Sequence, residues 1–567
     1  MVLCRAASGA CVARAAGGGS GKPPPRHVDR THLTGERASG RASGWAGDRK
    51  RILTAPASPD DPGGLRLALN WFHTWFGLFA GGLLFLIFWT GTLAVFDREI
   101  DRWMMPDTRK AQAPEISADK LVPIAQQLAP DARNWTITLP DERIPVAQIM
   151  ATPADGAPVS RYVDPEKLEL LPDQGTLGGE RFFYPYHFSL HIHAFGTGLI
   201  LCALAAVIMV ALCISGVVIH RKIFADFFTL RIVRKPQRTT LDLHNLSGVL
   251  ALPFHLMIAF TGIAIFTYTY LPSAQMIVFA SDPAAASGGW FGRPAAGEPD
   301  GPLVPLDMLR DKAAARWGGD RPKVLRVFHP GDANAYVEVQ RPSARTISYR
   351  SGTRAWFDGA SGEFLAATPY TGTIAAYEFL YGIHAIQFDH WTLRWLYFLS
   401  GLAGCLLIAT GMLFWAQSRC KRHEKQGQRS ARMVEALCAG LTSGLLIATL
   451  AFFIANRLLP LDMEGRAAME AWIFHIVWTG AALHAFIRRE TVWAEQAWAV
   501  AGGCLLALFL NAVTTGDALP LAIMHGLWST AGVDLVLLAS AAIAVWAALK
   551  LGRRHARKCK PAMRATG

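Results

Sequence analysis

Two stretches decide how this chain is read: HTWFGLFAGGLLFLIFWTG, residues 73–91, and HNLSGVLALPFHLMIAFTG, residues 244–262. Each opens on a histidine, carries a glycine four residues on (Gly77, Gly248) and reaches Thr-Gly after seventeen (Thr90-Gly91, Thr261-Gly262). Both are apolar and long enough to cross a membrane as a helix. An ionisable group at that depth is costly, so it is read as functional. A histidine at the same depth in two such helices points to one ligand shared between them.

Outward from these stretches the chain keeps the same character. It has 567 residues, 51% of them hydrophobic. Eight windows read as membrane helices: about 70–96, 192–219, 246–270, 392–416, 434–456, 467–487, 496–513 and 528–549. Lipid offers no partner to open backbone groups, so isolated strands are excluded there. The net charge of +13 is not a nucleic-acid signal, because it is concentrated in particular connections. Arg221, Lys222, Arg231, Arg234, Lys235 and Arg238 fill one; Arg419, Lys421, Arg422, Lys425, Arg429 and Arg432 fill another. Arg553, Arg554, Arg557 and Lys558 follow the last span. With alternating spans these all fall on one side, which the positive-inside rule makes cytoplasmic, together with both termini. The nine cysteines form no CxxC pair and none falls in an outer loop, so no disulfide framework or Cys-ligated metal site is expected.

The repeat extends beyond the histidines. After the first span come a helix-like stretch (115–130), two strand-like segments and SRYVDPEKLELL (160–171). After the third span come LVPLDMLRDKAAARW (303–317), two strand-like segments and RAWFDGASGEFL (354–365). The fold expected is mainly α: a polytopic membrane protein of about eight spans, with two small outer α+β modules in a duplicated span–module–span unit. A disordered basic segment is expected at 1–65, the first repeat at 66–239 and the second at 240–430. A four-span bundle at 431–552 and a basic tail at 553–567 complete the chain.

Neutral imidazole is a good axial ligand for haem iron, and two of them make a six-coordinate, electron-transferring centre. His73 and His244 stand at corresponding helix ends and are expected to hold one haem b near the cytoplasmic surface. His191 and His384 stand at the other ends and are expected to hold a second haem b. Their register is looser: His191 lies twenty-four residues before Ser215-Gly216 and His384 twenty-six before Thr410-Gly411. His187, His193 or His390 can substitute, and His187 and His191 are spaced to share a helix face. His255, eleven residues past His244, either serves the second haem, lies between the two, or is a buried structural histidine. His220, beside Arg221 and Lys222, reads as a propionate or interfacial contact, and Arg394 as a propionate contact. His475 and His484 have no repeat partners and are expected to be structural. No GxGxxG after a strand, P-loop, GxSxG or HExxH appears, so a nucleotide-cofactor or protease reading lacks its residues.

The segments HTWFGL…TGTLAVFDREIDRWM (73–104), LHIH…ISGVVIHRKIFADFFTLR (190–231), LDLHNLSGVLALPFHLMIAFTG (241–262) and LYGIHAIQF…LRWLYFLSGLAG…ATGMLFW (380–415) resemble the PepSY-associated transmembrane helix family. The resemblance covers about 66–420, and the last four spans look like an extension. It implies PepSY-like periplasmic modules in a bacterial inner-membrane protein linked to iron uptake. It also implies electron transfer from a cytoplasmic or quinol donor to a ferric siderophore or other ferric chelate: a siderophore-reductase-like oxidoreductase that contacts membrane lipid and no nucleic acid. A transporter for iron, haem or siderophore is the alternative from the parallel repeat, weakened because no Pro/Gly-broken helix pair is seen at matching positions. A PepSY-type non-enzymatic binding or sensor protein is the other.

Overall fold

The computed structural model describes residues 62–563, apart from 155, 221–235, 271–290, 299–300, 344–345, 350–351, 370, 427–429 and 489. The expected N-terminal disorder and the basic residues at 221–235 lie outside the described residues, apart from the first helical turns after 62.

The chain is mainly helical with one antiparallel sheet. The elements that matter here run in this order: α1 (Pro62–Ala94), α2 (Asp97–Met104), α3 (Val122–Leu128), strands β1 (Ala132–Thr138), β2 (Ala147–Pro153), β3 (Val159–Asp164) and β4 (Glu169–Leu170), α4 (Phe183–Ser189) and α5 (Thr197–Ile219). Next come α6 (Pro236–Leu250), α7 (Leu252–Ile265), α8 (Leu306–Arg316), strands β5 (Val324–Phe328), β6 (Tyr336–Gln340), β7 (Arg354–Asp358) and β8 (Phe364–Ala367), then α9 (Gly372–Ala385) and α10 (Trp391–Lys425). The extension supplies α11 (Ser430–Leu441), α12 (Ser443–Leu458), α13 (Arg466–Ile487), α14 (Val492–Thr515) and α15 (Trp528–Met563).

Among the described residues six helices are long and apolar enough to cross a membrane, or seven if a bent pair is one span. Two of the eight expected spans therefore differ. The 467–487 window is α13, which is not among the six. It opens on a buried ion pair, Arg466 Nη1 to Glu470 Oε1 at 3.1 Å, and carries His475 and Thr479 in its middle. The 246–270 window is broken: α6 and α7 meet at Ala251 with a 65° bend. Pro253 causes it, since proline has no N–H to donate and its ring clashes with the carbonyl four residues back.

The two outer strand groups are not separate modules. Their eight strands form one sheet in the order β4-β3-β2-β1-β5-β6-β7-β8, joined by antiparallel β1–β5 pairing (Trp135 opposite Val327, Ile137 opposite Leu325). Each group alone would leave its first strand as an edge with unpaired backbone groups, and pairing the two removes both edges. Alternate residues of the strands, among them Ile137, Ile149, Leu325, Val337 and Phe357, are buried with Leu121, Ala125, Leu306 and Leu309 from the helices on one face. These helix starts are tied reciprocally: Asp119 accepts from the Leu306 backbone N–H, and Asp307 from that of Ala118 at 3.1 Å.

A buried charge cluster joins sheet to helices. Glu99 on α2 accepts from Arg143 Nε and Nη2 at 3.0 and 2.9 Å, and from Arg394 Nη1 and Nη2 on α10 at 3.1 and 2.9 Å. Arg394 also donates to the Val95 carbonyl at 2.5 Å and lies over the Phe96 and Trp391 rings. Burial would raise the Glu99 carboxyl, but the two guanidinium groups outweigh it and hold the group down to about 2. The ionised carboxylate contributes stability above the ordinary carboxylate range, and that contribution is lost as pH falls toward 2. Glu99→Ala leaves two buried guanidiniums uncompensated and is expected to cost about 3–5 kcal/mol in unfolding measurements. Glu99→Gln is expected to remove part of the wild type's loss of thermal stability between about pH 4.5 and 2.

Candidate functional site: two facing histidine pairs

Four histidines of the helical region are held by one repeated device. His73 on α1 reaches across to α5, where its Nδ1 lies 3.1 Å from the Leu212 carbonyl and 3.0 Å from Ser215 Oγ. His244 on α6 reaches across to α10, with Nδ1 2.9 Å from the Leu407 carbonyl. His187 on α4 turns to α1, with Nδ1 2.9 Å from the Ile87 carbonyl. His384 on α9 turns to α7, with Nδ1 2.9 Å from Thr261 Oγ1. The Thr261 hydroxyl donates to Met257 and Ile258 carbonyls, so toward His384 it accepts. A carbonyl can only accept. Each Nδ1 therefore carries the proton, and each ring's lone pair sits on Nε2.

The receiving motif is the same each time: a hydroxyl residue, then glycine. Ser215, Thr410, Thr90 and Thr261 each bond back to a carbonyl of the preceding turn. The glycine that follows makes room for the ring. A Cβ on Gly216 would lie 3.2 Å from His73 Cε1, and one on Gly411 3.0 Å from His244 Cε1. A Cβ on Gly91 would lie 2.6 Å from His187 Nδ1, and one on Gly262 2.9 Å from His384 Cε1. Only glycine lets the opposing helix pass so close to each imidazole.

The rings meet in two pairs. His73 and His244 have centroids 6.3 Å apart with planes at 81°; His187 and His384 have centroids 6.0 Å apart with planes at 29°. The second pair lies toward the sheet and the first at the far end of the helices. Beside the sheet-side pair is a cavity of about 890 Å³, counted out to its mouth. Its lining includes His187, His384, Gly91, Gly262, Phe266 and Tyr397. Among the described residues no three His, Cys, Asp or Glu side chains converge as a bare-metal site requires.

The other expected site residues fall elsewhere. The structure sets His187, not His191, opposite His384. His191 bonds through Nε2 to the Phe182 carbonyl at 2.9 Å and stacks on the Phe182 ring. His193 is exposed. His255 is fully buried on α7, its Nε2 3.4 Å from the Ser400 carbonyl and its ring edge-on to Phe88. His220 lies 3.4 Å from Asn245 Nδ2. Arg394 is committed to Glu99. The hydroxyl–glycine cradles serve only as register marks in the sequence reading. Their signal was present in it, as a Ser/Thr-Gly pair on each of α1, α5, α7 and α10, but other such pairs (Thr197-Gly198, Ser400-Gly401) stand in the same helices.

Helices long and apolar enough to cross a membrane, with imidazole rings held between them, define a multi-pass membrane protein. Residues 70–418 match the family model of the PepSY-associated TM region, and the chain belongs to that family. Uncharacterized protein PA4219 of Pseudomonas aeruginosa is 26% identical over 393 residues, which cover 65% of this chain and 94% of that relative.

Gly91→Ala, whose Cβ would lie 2.6 Å from His187 Nδ1, is expected to push His187 off the Ile87 carbonyl, whereas Gly216→Ala, whose Cβ would lie 3.2 Å from His73 Cε1, disturbs His73 less. Histidine acylation mapped by mass spectrometry checks this: His187 should become several-fold more reactive in Gly91→Ala, with a smaller change at His73 in Gly216→Ala.

Proposed function

We propose that the two histidine pairs each hold a haem b in a bacterial inner-membrane electron-transfer protein. The donor is a cytoplasmic reductant or the quinone pool; the acceptor is a periplasmic ferric chelate of the siderophore class. One observation carries the reading: the spacing within each pair. A metal ion held between two imidazole nitrogens would set the ring centroids roughly 6 Å apart. The observed separations are 6.3 and 6.0 Å.

Haem held by these residues would supply one-electron exchange. The chain's own residues do the rest. The Nδ1 bonds to Leu212, Leu407, Ile87 and Thr261 fix each tautomer and raise the basicity of Nε2, as outer partners of metal-bound histidines do. The glycine cradles open the flanking space. The lining of the sheet-side cavity is largely apolar.

The same matches support the duplicated unit. His73 and His244 are seventeen residues before Thr90-Gly91 and Thr261-Gly262, and His187 and His384 dock on those same motifs. The sheet repeats its strand order outward from β1–β5. Transport is less well supported: the break at Pro253 has no counterpart in α1, which is continuous from Pro62 to Ala94, whereas broken spans of transporters occur in both halves.

Reduced-minus-oxidised spectra of purified protein test the assignment. Wild type should show bis-histidine haem at two per chain. His73→Ala and His244→Ala should each lose one haem, and the same one; His187→Ala and His384→Ala should each lose the other. A wild type without haem absorbance, or four variants that keep it, overturns the reading.

A further inference from the structure

One cluster of titratable side chains lies outside the two pairs yet touches the sheet-side one. Tyr186 precedes His187 on α4 and faces the extension. Its hydroxyl lies 3.2 Å from His475 Nε2 on α13, and the rings are near-parallel with centroids 5.9 Å apart. His475 Nδ1 lies 2.7 Å from the Ala471 carbonyl, so Nδ1 is the donor there and Nε2 accepts from Tyr186. His191 stands on the other side of Tyr186, at 5.1 Å between centroids, and His193 is 6.4 Å beyond. The bond from His191 Nε2 to the Phe182 carbonyl leaves its lone pair on Nδ1. The backbone is strained to place these groups: Leu190, His191 and Phe195 all have left-handed φ, of 54°, 53° and 51°.

The cluster borders a surface that water does not explain. Phe195 is 100% exposed, and Ile192, Trp472 and Ile476 are exposed around the histidines. The loop lies where α4 gives way to the membrane-capable stretch Ala194–Ile219. Apolar side chains open to lipid and ringing several hydrogen-bonding groups suit a lipid-soluble ligand with a ring and hydroxyls.

We infer that Tyr186, His191, His193 and His475 form a binding site for a membrane hydroquinone, which makes the quinone pool the electron donor in the function proposed above. The His191 Nδ1 lone pair accepts a proton from one ring hydroxyl, and the Tyr186–His475 pair hydrogen-bonds the other end of the ring or passes its proton to the outer side. Oxidation of one hydroquinone gives one quinone, two protons and two electrons. Two ferric chelates take one electron each and become ferrous, which balances the reaction. Two histidine pairs suit this mismatch between a two-electron donor and a one-electron acceptor. Burial, with the neighbouring histidines adding to it, keeps His191 below the usual histidine range, so its Nδ1 lone pair is unprotonated at neutral pH and open to a ring hydroxyl.

The test is photolabelling of the full chain in lipid nanodiscs with an azidoquinone. Label is expected in peptides covering 186–195 and 471–476, and excess unlabelled quinone should suppress it. Tyr186→Phe and His475→Phe should each cut this labelling about tenfold while the haem spectrum stays as in wild type; His191→Asn is the reserve if either fails to fold. Label elsewhere, or label unaffected by the variants, overturns the site. Labelling does not need bound haem. Protein that labels at these peptides but lacks haem would sink the electron-transfer reading and leave the quinone site standing, whereas haem with no label here would do the reverse.

Discussion

Each of the four paired histidines is anchored by its Nδ1 to the helix opposite, and the rest of the arrangement depends on that bond. Without it an imidazole on a membrane helix has several rotamers and two tautomers. With it the ring is fixed in both respects, and its lone pair is committed to Nε2. The bond also holds helices together: His73 ties α1 to α5, His187 ties α4 to α1, His244 ties α6 to α10 and His384 ties α9 to α7. In lipid there is little hydrophobic force between helices, so close packing at small residues and polar cross-links carry the association. Here one motif supplies both, since the glycine that admits the ring also admits the neighbouring helix.

The sheet works on the same helices from outside. Its strands link the end of α1 to α4 and the end of α7 to α9, so pairing β1 with β5 limits how far the two halves can separate. The Glu99 cluster transmits that constraint inward. Arg143 comes from the segment between β1 and β2, Glu99 from α2, and Arg394 from the first turn of α10. A buried carboxylate between two guanidiniums tolerates little displacement, because any gap leaves charge unpaired in a low dielectric. The ends of α1 and α10 are thereby held in register beside the sheet-side pair.

How much of this the sequence disclosed follows from the range of each interaction. His73 and His244 were legible because the cue is local: a histidine and a Thr-Gly seventeen residues apart, twice. The sheet-side pair was half legible. His384 stood out, but the count to Ser215-Gly216 is twenty-eight from His187 and twenty-four from His191, and the count to Thr410-Gly411 is twenty-six from His384. The strained loop at 190–196 spoils the count, so spacing cannot choose between His187 and His191. What decides is that α4 ends at Ser189 with His187 directed at α1. Arg394 was read as a propionate contact because its true partner, Glu99, lies 295 residues away. The strand groups were found one by one, but their joining through β1 and β5 depends on two edges meeting, which no single segment reveals.

The extension breaks the likeness between the halves, and it does so beside the sheet-side pair. Phe182 and Tyr186 of α4 are packed against Phe452, Phe474 and His475, with Phe182 and Phe452 stacked at 4.3 Å. Nearby, Trp103 donates to Asp534 at 2.8 Å and Arg457 to the Met104 carbonyl at 2.5 Å, so α2 is fastened to α15 and α12. On the corresponding helix of the second half, α9, Tyr381 stacks on Tyr349 at 4.3 Å, while Tyr377 and Phe379 are 39% and 47% exposed among the described residues. His187 therefore sits on a helix braced by an aromatic cluster, and His384 on one that is open along part of its length. Two facing histidines held by the same device are thus given unlike surroundings, because the extension packs its aromatic rings against one flank of the pair only.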